Sequence, residues 1–157
     1  MAKQFFNAQD APRTKDAELF CTIGTRRYSM LNAKNFEANA SVSLADVKRL
    51  GTTITGKKAI GMEVKLSMTV YKCSEMFDNI IETFKNTGVL PTFEVQVTSD
   101  DAATSMGRST KIYHECVIDG DILLSMVDAD GEFIEQTIEA FAMDYTSAEK
   151  YKEPTYM

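Results

Sequence analysis

With 157 residues, 44% of them hydrophobic, the chain is long enough for one domain with a true core. Its formal net charge of −6 argues against a protein that clamps nucleic acid, although an acidic surface would let a polyanion slide past. Three widely spaced cysteines, Cys21, Cys73 and Cys116, form no C-x-x-C pair, which removes metal-ligand spacing and predicts reduced, mostly buried thiols.

Residues 1–17 are polar and mixed, and predict an extended N-terminal arm. With no long apolar run, this segment is expected to be neither a secretory signal nor a membrane span, which makes a cytoplasm the default place of synthesis. Its adjacent Phe5 and Phe6 are costly to leave in water. They either fold back on the domain or dock on a neighbouring copy. Glu18 to Thr22 and Tyr28 to Leu31 predict a short hairpin that turns at Gly24.

The most regular stretches follow. Phe36, Ala38, Ala40, Val42 and Leu44 alternate with Glu37, Asn39, Ser41 and Ser43. The pattern returns as Met62, Val64, Leu66, Met68 and Val70 against Glu63, Lys65, Ser67 and Thr69. This period of two predicts two long strands, each with a buried and a wet face. The wet faces carry small polar residues where bulky β-formers or dense charge would be usual. Between them, residues 46–60 predict a long loop.

Ser74 predicts an N-cap, and Met76, Phe77, Ile80, Ile81 and Phe84 lie on one helical stripe that Gly88 ends as a left-handed cap. After Pro91, Thr92 to Thr98 predicts a strand and residues 99–105 a polar, mobile loop. Lys111 to Ile118 predicts a strand with Ile112, His114, Cys116 and Ile118 on one side. Asp119-Gly120 reads as a hairpin turn into a return strand over Ile122 to Val127. Asp130-Gly131 reads as a second turn, into a long strand from Glu132 to Tyr145. Residues 147–157 form a polar C-terminal tail, leaving 18–146 as the β domain. The order predicts a mainly antiparallel β-sandwich or barrel with one flanking helix.

Chemical motifs fail on inspection. Gly51-Thr52-Thr53-Ile54-Thr55-Gly56-Lys57-Lys58 resembles a phosphate loop, but Lys58 stands where Ser or Thr would bind magnesium and a strand follows in place of a helix. Asp128-Ala129-Asp130-Gly131 would need ligands at Met126 and Thr137 to act as a calcium loop, so it predicts a turn. His114, the single histidine, sits in apolar register and reads as a satisfied core or interface residue. The nine methionines read as flexible core fillers, among them Met62, Met68, Met76, Met126 and Met143. No catalytic, cofactor or metal site is expected.

The chain resembles the XkdM-like tail tube proteins of phages with contractile tails and of phage-tail-like (R-type) bacteriocins. The residues that carry the likeness are Phe36-Glu37-Ala38-Asn39, Leu50 to Lys58, Thr69-Val70-Tyr71-Lys72 before the helix, and Pro91-Thr92-Phe93. The resemblance implies a structural subunit that forms six-membered rings, stacked into a hollow inner tube assembled in the bacterial cytoplasm. Sheath, baseplate and tail-terminator proteins would be its partners, with passage of DNA but no specific binding and no membrane anchor. Glu37, Asn39, Ser41, Glu63, Lys65, Ser67 and Thr69 would then line the channel. Lys48, Arg49, Lys57 and Lys58 form the most basic patch of an acidic chain and would contact the next ring. The alternative is a small-ligand-binding β-barrel, which would need an apolar cavity.

Overall fold

A computed structural model describes residues 3–157. The chain forms two compact units, and each is built around its own antiparallel sheet.

The first unit comprises the chain up to Leu31, Thr92–Cys116 and Asp144–Met157. Strands β1 (Ala17–Ile23) and β2 (Arg26–Ser29) make the predicted hairpin, with Gly24 at φ 62° in its turn. The sheet continues through β5 (Phe93–Asp100), the first part of β6 (Arg108–Asp119) and β8 (Asp144–Glu149). Cross-strand pairs Cys21–Val95 and Phe93–Cys116 are fully buried. Burial pushes both thiols up to about 12, so they stay protonated and inert. Cys73, by contrast, is exposed.

The alternation of β6 breaks at Glu115, which adopts φ 49°. Here Phe93 faces Cys116 while Val95 faces Tyr113, so an extra residue bulges from β6. The bulge corrects the expectation that His114 shares a side with Cys116 and Ile118. His114 is half-exposed, with Nδ1 2.7 Å from Glu94 and Nε2 2.9 Å from Thr146.

The N-terminal arm is tied down through two buried aspartates. Asp10 ends a short 3-10 turn, Ala8–Asp10, and accepts hydrogen bonds from the Ser105 amide (2.9 Å), the Ser105 hydroxyl (2.8 Å) and the Tyr156 hydroxyl (2.8 Å). These donors hold its carboxyl below the ordinary range. Asp101 accepts from the Ala103 amide at 2.9 Å and from the Arg13 guanidinium at 3.0 Å, with the same effect. Residues 101–105 are therefore a fastened corner and not the free loop that their polarity suggests. Phe6 packs edge-on against Tyr156 with ring centroids 6.2 Å apart, yet Phe5 and Phe6 remain largely exposed.

The second unit comprises Asn32–Pro91 and Val117–Met143. Its frame is the pair β3 (Ala33–Val47) and β4 (Gly56–Tyr71), in antiparallel register from Ala33–Val70 to Val47–Gly56. β7 (Glu135–Ala142) pairs with β4 from Tyr71 only as far as Val64, and the end of β6 pairs with β7. The helix α1 (Met76–Thr87) buries Met76, Phe77 and Ile80, with Val64, Leu66, Met68, Val70, Ile118, Ile138 and Ala140 as the unit's other buried apolar residues. Gly88 caps it at φ 76°, as predicted, but the N-cap is Glu75 and not Ser74, and Phe84 is exposed.

No strand forms over Ile122 to Val127. The segment from Gly120 to Ile134 crosses without regular structure, and a turn at residues 128–131 closes on the Asp128 carbonyl. Lys72 clips both of its ends. The Lys72 amide donates to the Ile134 carbonyl at 2.9 Å. Its ammonium donates to the Leu123 carbonyl and to both oxygens of Asp78, at 3.0 and 2.8 Å. Chain that would otherwise be a return strand is thus pinned as a loop. The predicted long final strand is two strands, β7 and β8, broken at Met143. Of the methionines read as core fillers, Met62, Met126 and Met143 are exposed.

Candidate assembly surface

The β3–β4 ribbon brings the predicted wet-face residues onto one surface. Glu37 faces Ser67, Asn39 faces Lys65 and Ser41 faces Glu63, while Thr69 faces Asn35. β7 extends that surface with two residues that the sequence reading missed. Thr137 stands opposite Thr69 with their hydroxyls 3.1 Å apart, and Glu139 stands opposite Ser67, 3.8 Å from the Lys65 ammonium. Thr137 and Glu139 do alternate with Gln136, Ile138 and Ala140, but their place beside β4 is a long-range pairing that no local pattern encodes. The Asn39 amide donates to Glu37 at 3.0 Å. The face is small, hydrophilic and net negative, with Glu37, Glu63 and Glu139 against Lys65. At the base of the ribbon the Lys34 ammonium donates to both oxygens of Glu135, at 3.1 and 3.2 Å, which raises the lysine above its ordinary value.

The opposite face is apolar from Phe36 to Leu44, before the Asp46–Lys57 pair near the tip, but only its half next to the core is covered. Val64, Leu66, Met68 and Val70 are at most 8% exposed. Beyond Val64, Met62 is 52% exposed, Val42 59%, Leu44 58% and Ile60 69%. β7 ends at the same point, so the distal ribbon is two strands with neither a third strand nor a core beneath it. Val42, Leu44 and Met62, with Ile60 beside them at a bulge between Gly61 and Ala59, form the kind of apolar surface that marks an interaction site.

The basic patch lies at the ribbon's tip, in a form different from the predicted loop over residues 46–60. β3 runs to Val47 and β4 starts at Gly56, leaving a connection of residues 48–55. Lys48 and Arg49 lie in it, and the Arg49 guanidinium donates to the Ile54 carbonyl at 3.1 Å. Lys57 and Lys58 belong to β4, opposite Asp46 and Ala45, and so point to different faces. Lys57 forms an ion pair with Asp46. Lys48, Arg49 and Lys58 make no ion pair among the described residues. Gly56 opens β4 and no helix follows it, so the loop lacks the helix N-terminus that would cradle a phosphate.

Residues 4–147 match a family model described as a phage tail tube protein. The chain belongs to the phage tail tube family. This tail tube chain is 27% identical over 123 residues to the uncharacterized protein YqbM of Bacillus subtilis strain 168, covering 78% of its own length and 83% of the relative's. It is 26% identical over 121 residues to the phage-like element PBSX protein XkdM of the same organism, covering 77% and 82%. Its fold is similar to a chain of the sheath–tube complex of an extracellular contractile injection system, with TM-score 0.59 and 9% identity over 82% of this chain and 86% of that one. As a tail tube family member it is a structural subunit and not an enzyme. Among the described residues, no helix is long and apolar enough to cross a membrane.

Proposed function

We propose that this tail tube subunit closes into six-membered rings that stack as the hollow inner tube of a contractile phage-like particle. The observation that carries the reading is the β3–β4 ribbon, which is apolar but uncovered on one face beyond Val64 and small and polar on the other. A neighbouring ribbon laid alongside would pair the β3 edge and cover Val42, Leu44, Ile60 and Met62. Closure of such ribbons into a shared barrel leaves no exposed edge. The channel wall is then Glu37, Asn39, Ser41, Glu63, Lys65, Ser67 and Thr69, continued by Thr137 and Glu139. Its carboxylates repel nucleic-acid phosphate, which suits passage of DNA without binding. Lys48, Arg49 and Lys58 meet the next ring, with Lys57 held in place by Asp46. Sheath, baseplate and terminator proteins are the remaining partners, and the particle is assembled in the bacterial cytoplasm.

Negative-stain electron microscopy of the purified chain over a range of concentrations tests this directly. Hollow rods of stacked rings are expected. A preparation that stays monomeric at every concentration, with or without preformed tail ends, would overturn it. A small-ligand barrel has less support. The open cleft of the first unit, between Thr22, Phe93, Glu94, His114 and Asp144, is mostly polar and does not enclose a ligand.

A further inference from the structure

The second unit is electrically polarised along a single strand. β4 begins at Gly56, beside the basic tip, and ends at Tyr71, beside the loop that Lys72 clips. Sixteen residues of extended chain separate the two features by roughly 50 Å. The tip, residues 48–55, carries Lys48 and Arg49 with the exposed apolar Leu50 and Ile54, and no acid. The clipped loop carries Asp128, Asp130 and Glu132 with the exposed apolar Leu124, Val127 and Phe133, and no base. Asp128, Asp130 and Glu132 make no ion pair among the described residues, and neither do Lys48 and Arg49.

We infer that the clipped loop, residues 123–134, is the seat for the basic ribbon tip of a second copy of this chain. The two surfaces are opposite in charge and alike in apolar content, and they lie at opposite ends of one continuous strand. Two different, complementary patches on one chain make a heterologous contact, which repeats head to tail and does not close on itself as a pair. Charge of opposite sign at the two ends also fixes polarity, because tip-to-tip and loop-to-loop approaches are repulsive. Lys72 acts as a positioning residue. By binding the Leu123 and Ile134 carbonyls it presents the loop in one shape, so that little ordering remains to be done on contact. Phe133 is further steadied by its edge contact with Tyr71, at 6.2 Å between ring centroids.

This inference rests on the stacked-ring reading, and the test separates the two. Full-length chains would carry the tip reversal Lys48→Glu with Arg49→Glu, the loop reversal Asp130→Lys with Glu132→Lys, or all four changes. Asp128 is left in place because its carboxylate accepts from the Asp130 amide within the turn. Circular dichroism and thermal unfolding confirm that each variant folds, and rod length is read by electron microscopy at low salt. Each reversal alone should raise the concentration needed for rods about tenfold or more, since several exposed charge pairs act together in each ring. The fourfold swap should restore rods towards the parent length. If each reversal alone shortens rods but the swap does not rescue them, the tip seats elsewhere: the inference fails and the stacked tube survives. Unchanged rods in both single reversals would equally overturn the inference. A parent chain that makes no rods even on preformed tail ends would overturn the tube reading, and this inference with it.

Discussion

Replacing Leu44 by serine is the sharpest probe of the ribbon. Leu44 lies on the apolar side of β3 and is 58% exposed in the single chain. Full burial of a leucine is worth about 1.5–3 kcal/mol, so covering the remaining half contributes about 1–1.5 kcal/mol to each subunit contact. Val42, Ile60 and Met62, with comparable exposure, each contribute a similar amount, and the four together reach about 5 kcal/mol. Leu44→Ser therefore removes about a fifth to a quarter of the apolar driving force of a contact. It should raise the minimum concentration for tube formation about five- to tenfold. The same change should leave the isolated chain intact, within about 0.5 kcal/mol of the parent, because the side chain is not part of the unit's core. The assays are sedimentation of assembled material across a dilution series and thermal unfolding of the unassembled chain. Ser41→Ala, on the opposite face, is the control and should shift neither. Tubes of Leu44→Ser that pellet at the parent concentration would refute the argument that this face is covered by a neighbour.

Two further outcomes concern the buried aspartates and the three thiols. Asp10 and Asp101 are held below their ordinary 3.8 chiefly by backbone amides, so the clasp on the arm is fully present above about pH 4 and is lost as the pH falls through those depressed values. The Ser105 amide resonance should follow that change in an NMR titration, and a midpoint at or above 3.8 would contradict the assignment. At pH 8 an excess of thiol reagent should modify Cys73 and spare Cys21 and Cys116, whose burial pushes them to about 12. Peptide mapping that found fast labelling of Cys116 in the native chain would be inconsistent with its place in the core.

The alternation of Phe36 to Leu44 and Met62 to Val70 reads directly as two strands, because a period of two is a local property. The left-handed cap at Gly88 is equally local. What lies above each face is not. The pattern of Val42 and Leu44 is the same as that of Leu66 and Met68, yet only the latter pair is covered by its own chain. Sequence period reports that a face is apolar and is silent on whether the cover comes from the same molecule. Ile122 to Val127 has the composition of a strand but does not pair back on β6 as a hairpin. The end of β6 is already taken by β7, with Asp119 opposite Glu139, and Lys72 holds Leu123 away from any ladder. His114 was misplaced by a single residue of bulge at Glu115, a backbone feature with no side-chain signature. The candidate lining residues were legible in the strand pattern, whereas Thr137 and Glu139 needed the pairing of β7 with β4.

β4 also joins two regimes of stability in one continuous strand. From Val64 to Tyr71 it is flanked by β3 and β7 and roofs a core; from Gly56 to Glu63 it has β3 alone. A two-stranded ribbon by itself is marginal in water. In the free chain, amide hydrogen exchange should therefore fall off along β4, slow at Leu66 and Met68 and fast at Ala59 and Met62. The distal half would acquire its permanence only from neighbours. Chain growth is then a folding step as well as a binding step, and a lone molecule has little reason to begin a tube, though it readily extends one.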